Sequence, residues 1–336
     1  MKTVRVFKLV LILIFSLSLT YSQEISFKGF GAAGYRFYDR DILNQYNQEA
    51  YYEGKFQADI KVNKDIEAQL DFRGNSSDNE VTLREFSVKF EYIDRLKFKF
   101  GNLKKPFGLD QTENREDLAY IERSMATNRL EDIGYGGRAL SFMAYYKYSK
   151  KNPDYPYSYY MSVFRNNSMQ TGLAGRFAYH VNDWAYGVNY LLIHSSNKKT
   201  MLGNGIGLDV SYEDDNQFAN LEATFAKDVE ESAIRSWNGE EVSINAFGIK
   251  SAYGIKFDTG KDIIKKIEPF ILVSLFLPEL DESGNQKIQT LLGANFYFHK
   301  KVRLRVNADL RLTKNQYVDE YTTKESRGVI EVQVRF

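Results

Sequence analysis

The sequence predicts an all-β fold, a transmembrane antiparallel β-barrel of about sixteen strands whose third external loop folds inward. Three observations carry this. Segments of about ten residues alternate apolar and polar side chains with period two. The connections between segments alternate short turns with longer polar loops, as in barrels with short periplasmic turns and longer external loops. Aromatic residues (24 Tyr and 24 Phe against 2 Trp) recur at segment ends on the apolar face, where a membrane barrel carries its interfacial girdles.

The chain of 336 residues opens on a targeting segment. Lys2, Arg5 and Lys8 precede an apolar run from Val10 to Leu19, and Thr20-Tyr21-Ser22-Gln23 offers a small-residue cleavage site. Residues 1–22 therefore read as a signal peptide, and residues 23–336 as a single barrel domain. No Cys follows the apolar run, which excludes a lipoprotein anchor. Cleavage after Ser22 removes three basic charges and no acidic one, leaving 42 basic against 44 acidic residues.

Sixteen alternating segments follow, at roughly 25–38, 50–62, 66–73, 82–93, 96–102, 138–149, 157–166, 172–181, 184–194, 202–213, 218–227, 242–257, 267–277, 287–298, 302–312 and 327–336. The second is the clearest. Tyr52, Gly54, Phe56, Ala58, Ile60 and Val62 share one face, and Glu53, Lys55, Gln57, Asp59 and Lys61 the other. Short turns fall at Asn63-Lys64-Asp65, Asp94-Arg95, Asn182-Asp183, Asp214-Asp215-Asn216 and His299-Lys300-Lys301. Longer loops fall at 39–49, 74–81, 103–137, 228–241 and 313–326. Tyr92, Tyr148, Tyr157, Tyr179, Trp184, Tyr186, Tyr212, Phe257, Phe298 and Phe336 sit beside short turns and predict one girdle. Phe37, Tyr52 and Phe218 begin the opposite one. The last segment is an alternating strand ending on Phe336, which resembles the assembly signal of outer-membrane proteins.

Composition excludes much. Without Cys there is no disulfide, no Cys-ligated metal centre and no thiol catalysis. Three His leave little for a His-based metal site, and no cofactor is expected. The near-neutral charge argues against nucleic-acid binding. A mean hydropathy of −0.45 argues against a helical membrane protein. An enzymatic reading is poor. His180 and His194 fall at opposite ends of adjacent segments with no Ser and acid placed beside them, and no G-x-S-x-G, Walker A or H-E-x-x-H occurs. Gly203, Gly205 and Gly207 have strand spacing and read as a smooth wall rather than a phosphate-cradling turn.

The longest loop, 103–137, carries Leu109, Leu118, Tyr120, Ile121, Met125 and Leu130, which suit an ordered segment rather than a solvated tail. Asp117, Leu118, Ile121 and Glu122 have helical spacing. Entering and within this loop, Phe100-Gly101-Asn102-Leu103-Lys104-Lys105-Pro106-Phe107-Gly108-Leu109-Asp110 and Ala119-Tyr120-Ile121-Glu122-Arg123-Ser124-Met125 resemble two stretches of the phosphate-selective porin O/P family. The resemblance implies a sixteen-stranded outer-membrane porin, commonly trimeric, that passes anions such as phosphate. Lys105 and Arg123, inside the matched stretches, are the candidates to act at the constriction, and Glu122 beside Arg123 reads as a structural pair that fixes the loop. The family's arginine ladder and lysine cluster do not align residue by residue.

Charge on the polar face supplies an independent expectation. That face carries seventeen basic and eleven acidic side chains. Lys28, Arg36, Lys55, Lys61, Arg303, Arg305, Arg311 and Arg335 gather on the first two and last two strands, with Lys97 and Lys99 on the fifth. Together they form a candidate pore-lining basic set that favours anions. The expected protein is a bacterial outer-membrane porin, by the resemblance a homotrimer, in contact with outer-membrane lipid, for passive diffusion of small anions. Two alternatives stand beside it: a general or neutral-solute (sugar) porin relying on Tyr120 and Tyr135, and a non-conducting structural or adhesive barrel.

Overall fold

The computed structural model describes residues 24–38, 48–76, 79–166, 170–195, 201–236, 242–282, 284–315, 320–322 and 325–336. The expected signal peptide, residues 1–22, lies outside the described residues. Sixteen antiparallel strands follow one another around the wall: β1 (Glu24–Tyr38), β2 (Gln48–Lys61), β3 (Ile66–Asn75), β4 (Glu80–Ile93), β5 (Leu96–Lys104), β6 (Arg138–Tyr146), β7 (Tyr157–Arg165) and β8 (Gln170–Val181), then β9 (Trp184–Ser195), β10 (Met201–Glu213), β11 (Gln217–Asp228), β12 (Ile244–Ile255), β13 (Lys266–Leu277), β14 (Lys287–His299), β15 (Val302–Asn315) and β16 (Arg327–Arg335). Phe257–Asp258 continues β12, and Glu320–Thr322 adds a short piece against β15. Each strand pairs with its sequence neighbour, and β16 pairs back onto β1, with Phe30 opposite Arg335 and Tyr38 opposite Arg327. Closure removes every sheet edge, which a wall standing in hydrocarbon requires.

Side-chain alternation decides which face meets lipid. Along β10, Leu202, Ile206 and Leu208 are 50–61% exposed, while Gly203, Gly205, Gly207 and Asp209 point the other way. Phe56, Phe100, Met161 and Leu310 repeat the pattern around the barrel. So continuous a belt of exposed apolar side chains is intelligible only against lipid. The closed barrel and this belt place the chain in the bacterial outer membrane. Tyr92, Tyr179, Trp184, Tyr186, Phe257 and Phe336 are exposed at the short-turn end, and Phe37 and Tyr52 at the other. Tyr148 departs from the expected girdle and stacks on His180 at 4.3 Å. Phe218 departs too. It begins β11 beside a short turn and packs with Ala252 and Phe270 on the inner face.

The turns are built from their own side chains. Asn63 Oδ1 accepts the N–H groups of Asp65 and Ile66, each at 2.8 Å, and Asp214 Oδ1 accepts those of Asn216 and Gln217. Arg95 and Asn182 take φ near +60° in two-residue turns, the left-handed geometry that matches strand twist.

Candidate functional site

The segment between β5 and β6 is ordered and bonded to much of the wall. It contains α1 (Leu109–Thr112) and α2 (Met125–Asp132), the latter capped by Ser124, whose Oγ accepts the Thr127 N–H at 3.1 Å. The helical spacing at Asp117–Glu122 is not realised. Those residues form turns in which Leu118, Tyr120 and Ile121 each bury against the wall.

The bonds run to polar side chains on the face opposite the lipid belt. Gly108 N–H donates to Asn189 of β9 at 3.1 Å, and Leu109 N–H to Glu222 of β11 at 2.9 Å. Met125 N–H donates to Gln289 of β14 at 2.7 Å, and Ala126 N–H to Ser274 of β13 at 3.1 Å. Asn295 of β14 donates to the Ala119 carbonyl, and Arg303 of β15 to the Glu116 and Leu118 carbonyls. Most of these bonds satisfy backbone groups that a loop of this length would otherwise leave unpaired when buried.

The two stretches that carry the family resemblance meet at one carboxylate. Asp110 accepts from the buried Tyr120 hydroxyl and from Lys250 of β12, and its carbonyl accepts from Arg123 Nε at 2.9 Å. Lys250, Asp110 and Glu222 are 2%, 1% and 7% exposed, with Lys250 Nζ 3.5 Å from Glu222. Burial and the Asp110 carboxylate push the Tyr120 phenol well above its ordinary range, so it stays a donor. Glu122 anchors the far end through Arg327 and through Arg36 at 3.6 Å. Burial disfavours its charge, but Arg327, Arg115 and Arg36 overcome that and hold its carboxyl below the usual range.

The glycine run of β10 is a seat for this segment. A Cβ at Gly205 would lie 2.5 Å from the Tyr135 ring and 3.1 Å from Phe107. Phe107, Leu130 and Tyr135 pack there with Ala226, Ala246 and Phe276. Gly205→Val is therefore expected to destabilise the folded protein by about 1–3 kcal/mol through overpacking. Limited proteolysis of the 105–137 segment checks it, and unchanged cleavage would contradict the packing.

Lys105 is 3% exposed and donates to the Gly134 carbonyl at 2.7 Å, with Phe164 beside it. Burial pushes its ammonium down to about 8. The unfolded chain then holds a proton that the folded one releases between about pH 8 and 10, so stability rises with pH in that window. Lys105→Met is expected to abolish that rise in thermal midpoints measured at pH 8 and 10.

The other residues marked from sequence lie as follows. Lys28 pairs with Asp59 at 2.7 Å and Lys61 with Glu24 at 2.6 Å. Lys55 pairs with Glu116 at 2.7 Å, Lys97 with Glu91 at 2.7 Å and Lys99 with Glu85 at 2.6 Å. Arg311 pairs with Asp309 at 2.8 Å and Arg335 with Asp117 at 2.9 Å. Arg303 and Arg305 are 4% and 1% exposed. Arg303 holds the segment's backbone, and Arg305 stands 3.5 Å from Glu331. Arg123 donates to backbone carbonyls of Asp110 and Glu113. Tyr120 and Tyr135, the aromatic residues of the neutral-solute alternative, are 1% and 0% exposed.

A cavity of about 330 Å³ opens on the other side of the segment, lined by β2–β7 and by Pro106, Thr112 and Asn114. Lys55, Lys99, Lys104 and Arg138 line it against Asp71 and Glu85. Arg84 stands nearby, within electrostatic reach of Arg138, Arg73, Asp71 and Arg123. Among the described residues its guanidinium has no hydrogen-bond or ion-pair partner. Strict alternation from sequence gives Arg84 to the lipid face and keeps it out of the polar wall. A β-bulge shifts the β3–β4 register between Asp71 opposite Glu85 and Phe72 opposite Leu83, and Arg84 is the extra residue. The signal was present: Arg84-Glu85 is a charged pair that breaks an otherwise alternating segment.

Contrary to expectation, His180 has a Ser partner, with Ser158 Oγ 2.8 Å from Nε2. Among the described residues no carboxylate hydrogen-bonds the ring to complete a relay.

No protein-family model matches the chain, and no curated protein sequence matches it. Solved structures match in shape. The anion-selective porin from Comamonas acidovorans is 10% identical with a TM-score of 0.67, over 94% of this chain and 100% of that one. Outer-membrane expressed OmpT of Vibrio cholerae is 11% identical with a TM-score of 0.65, over 94% and 99%. Salmonella typhi OmpF is 12% identical with a TM-score of 0.62, over 93% and 97%. Likeness at this identity establishes architecture: the chain has the fold of a closed outer-membrane β-barrel.

Proposed function

We propose that the protein, exported by the signal in residues 1–22, is an outer-membrane porin through which small anionic solutes such as phosphate diffuse passively. The segment 105–137 is read as a constriction that fills the lumen against β8–β16 and leaves a lane along β2–β7. The observation that carries the reading is the cluster of Arg84, Arg138, Arg73 and Arg123 beside that lane, with the Arg84 guanidinium unpaired among the described residues. A fixed cation at a narrowing lowers the barrier for anions and raises it for cations. Its field reaches about 8 Å at physiological salt, comparable to a narrow pore's radius. The resemblance to the phosphate-selective porins and the likeness in fold to the anion-selective porin of Comamonas acidovorans support the same reading. The burial of Tyr120 and Tyr135 takes support from the neutral-sugar alternative.

No chemical step is required of any residue. The wall and segment supply a fixed charge pattern, and the lipid belt supplies the seat in the membrane. A homotrimer is proposed on the resemblance and on the trimeric form of the Vibrio cholerae neighbour. Reconstitution in a planar bilayer tests the reading, with stable conductance steps expected that fall when phosphate is added at low concentration. A barrel that inserts without conducting would instead be structural or adhesive.

A further inference from the structure

The lane has an aromatic wall as well as a basic one, and the two stand side by side. Tyr145 of β6 and Tyr160 of β7 are directly paired across strands, with ring centroids 5.9 Å apart and planes within 3°. Both line the 330 Å³ cavity. Among the described residues neither hydroxyl has a hydrogen-bond partner. Tyr145 lies opposite Lys97, and Lys99 is the next residue along the same face of β5. Gln57 and Gln69 complete the lining with uncharged amides, the first donating to Asp59 at 2.7 Å and the second accepting from Lys99 at 3.2 Å.

From these groups, and resting on the anion-passing reading above, we infer that the lane holds a subsite for an anionic sugar, a sugar acid or sugar phosphate. A flat aromatic platform suits the apolar face of a pyranose ring. The free phenol hydroxyls suit its hydroxyl groups, since a polar group left unpaired in a narrow site is costly. Lys99 and Arg138, which share Glu85 at 2.6 and 3.5 Å, and Lys104, which bonds the Glu113 carbonyl at 2.6 Å, supply the charge for the carboxylate or phosphate in exchange for those contacts. A bare inorganic anion would use the cations and leave the platform idle. A neutral sugar would use the platform and leave the cations idle. An interaction that retards one solute class also concentrates it at the narrowing, which speeds its passage when it is dilute outside.

The test is block of KCl current through the protein in a planar bilayer, with glucuronate, acetate, glucose and benzoate as probes. Glucuronate is expected to half-block at a concentration at least about tenfold below acetate, which carries the same charge without the ring. Glucose and benzoate are expected to stay well above glucuronate. In Tyr145→Ala and Tyr160→Ala the glucuronate-to-acetate ratio is expected to fall to near one. The ratio is taken within each variant, so a general change in conductance cancels. Tyr160→Phe keeps the ring and is expected to retain part of the preference. Equal block by glucuronate and acetate in the unaltered protein overturns the inference. Benzoate matching glucuronate overturns it in favour of a plain aromatic site, and glucose matching it would leave the cations without a role. A pore without chloride preference is a different result, and removes the anion-passing reading itself.

Discussion

Lys250→Met is expected to give the largest loss of stability of any single substitution in the barrel. Lys250 is the buried cation that holds Asp110 of the segment and Glu222 of β11 together. Removing it leaves two buried carboxylates without a compensating charge. Breaking a buried ion pair from one side costs about 3–5 kcal/mol, because the surviving charge is uncompensated. The Leu109 N–H bond to Glu222 and the Tyr120 bond to Asp110 are made to those same carboxylates. The segment should therefore detach from β9–β12 as a unit. The expected signs are a lower temperature for loss of the folded gel mobility, new protease cleavage within 105–137 and a higher single-channel conductance. Lys250→Met combined with Glu222→Gln should recover part of the loss, since one stranded charge is gone. Unchanged conductance and cleavage would mean that the segment is held elsewhere.

Arg84→Glu is expected to give the largest change in ion selectivity with the smallest change in stability. Its guanidinium has no partner to lose among the described residues, so the fold should tolerate the exchange. The charge changes by two units at the lane. Each unit is worth about 1 kcal/mol at 4 Å in water. The two units together are worth about 2 kcal/mol, so a loss of chloride preference of about thirtyfold is expected. Arg305→Met is the contrasting case. Arg305 is 1% exposed and faces Glu331, which also accepts from Tyr51 at 2.8 Å. Its removal should lower stability and leave selectivity nearly unchanged. The opposite pairing of outcomes, selectivity following Arg305 and not Arg84, would return the filter to the arc of β15, β16, β1 and β2.

The barrel was legible because every strand stands between lipid and a polar interior, so alternation is enforced residue by residue. It blurs where the interior is not simply wet. Phe270, Leu272 and Phe276 of β13 and Ala226 of β11 face inward because Leu118, Tyr120, Phe107 and Leu130 cover them. Phe218 was misplaced for the same reason. The polar wall was readable as a list of charges but not as a set of partners. Most of the expected basic arc turns out to hold acids or the segment's own backbone, which no count of Lys and Arg reveals. Arg84 was hidden by a single inserted residue, and Arg138 by lying at a strand end next to the long loop. The glycine run of β10 was correctly set apart from phosphate-cradling turns, yet its purpose appears only once Phe107 and Tyr135 are seen to occupy the space.

The most direct measurement is the zero-current potential of the unaltered protein across a KCl gradient. Lys99, Lys104 and Arg138 of the lane, with Arg84 beside it, predict a potential of the sign set by chloride, weakening as salt rises and screens the fixed charges. A potential of the opposite sign, or none at low salt, would contradict the anion filter and leave the barrel with an unselective lumen.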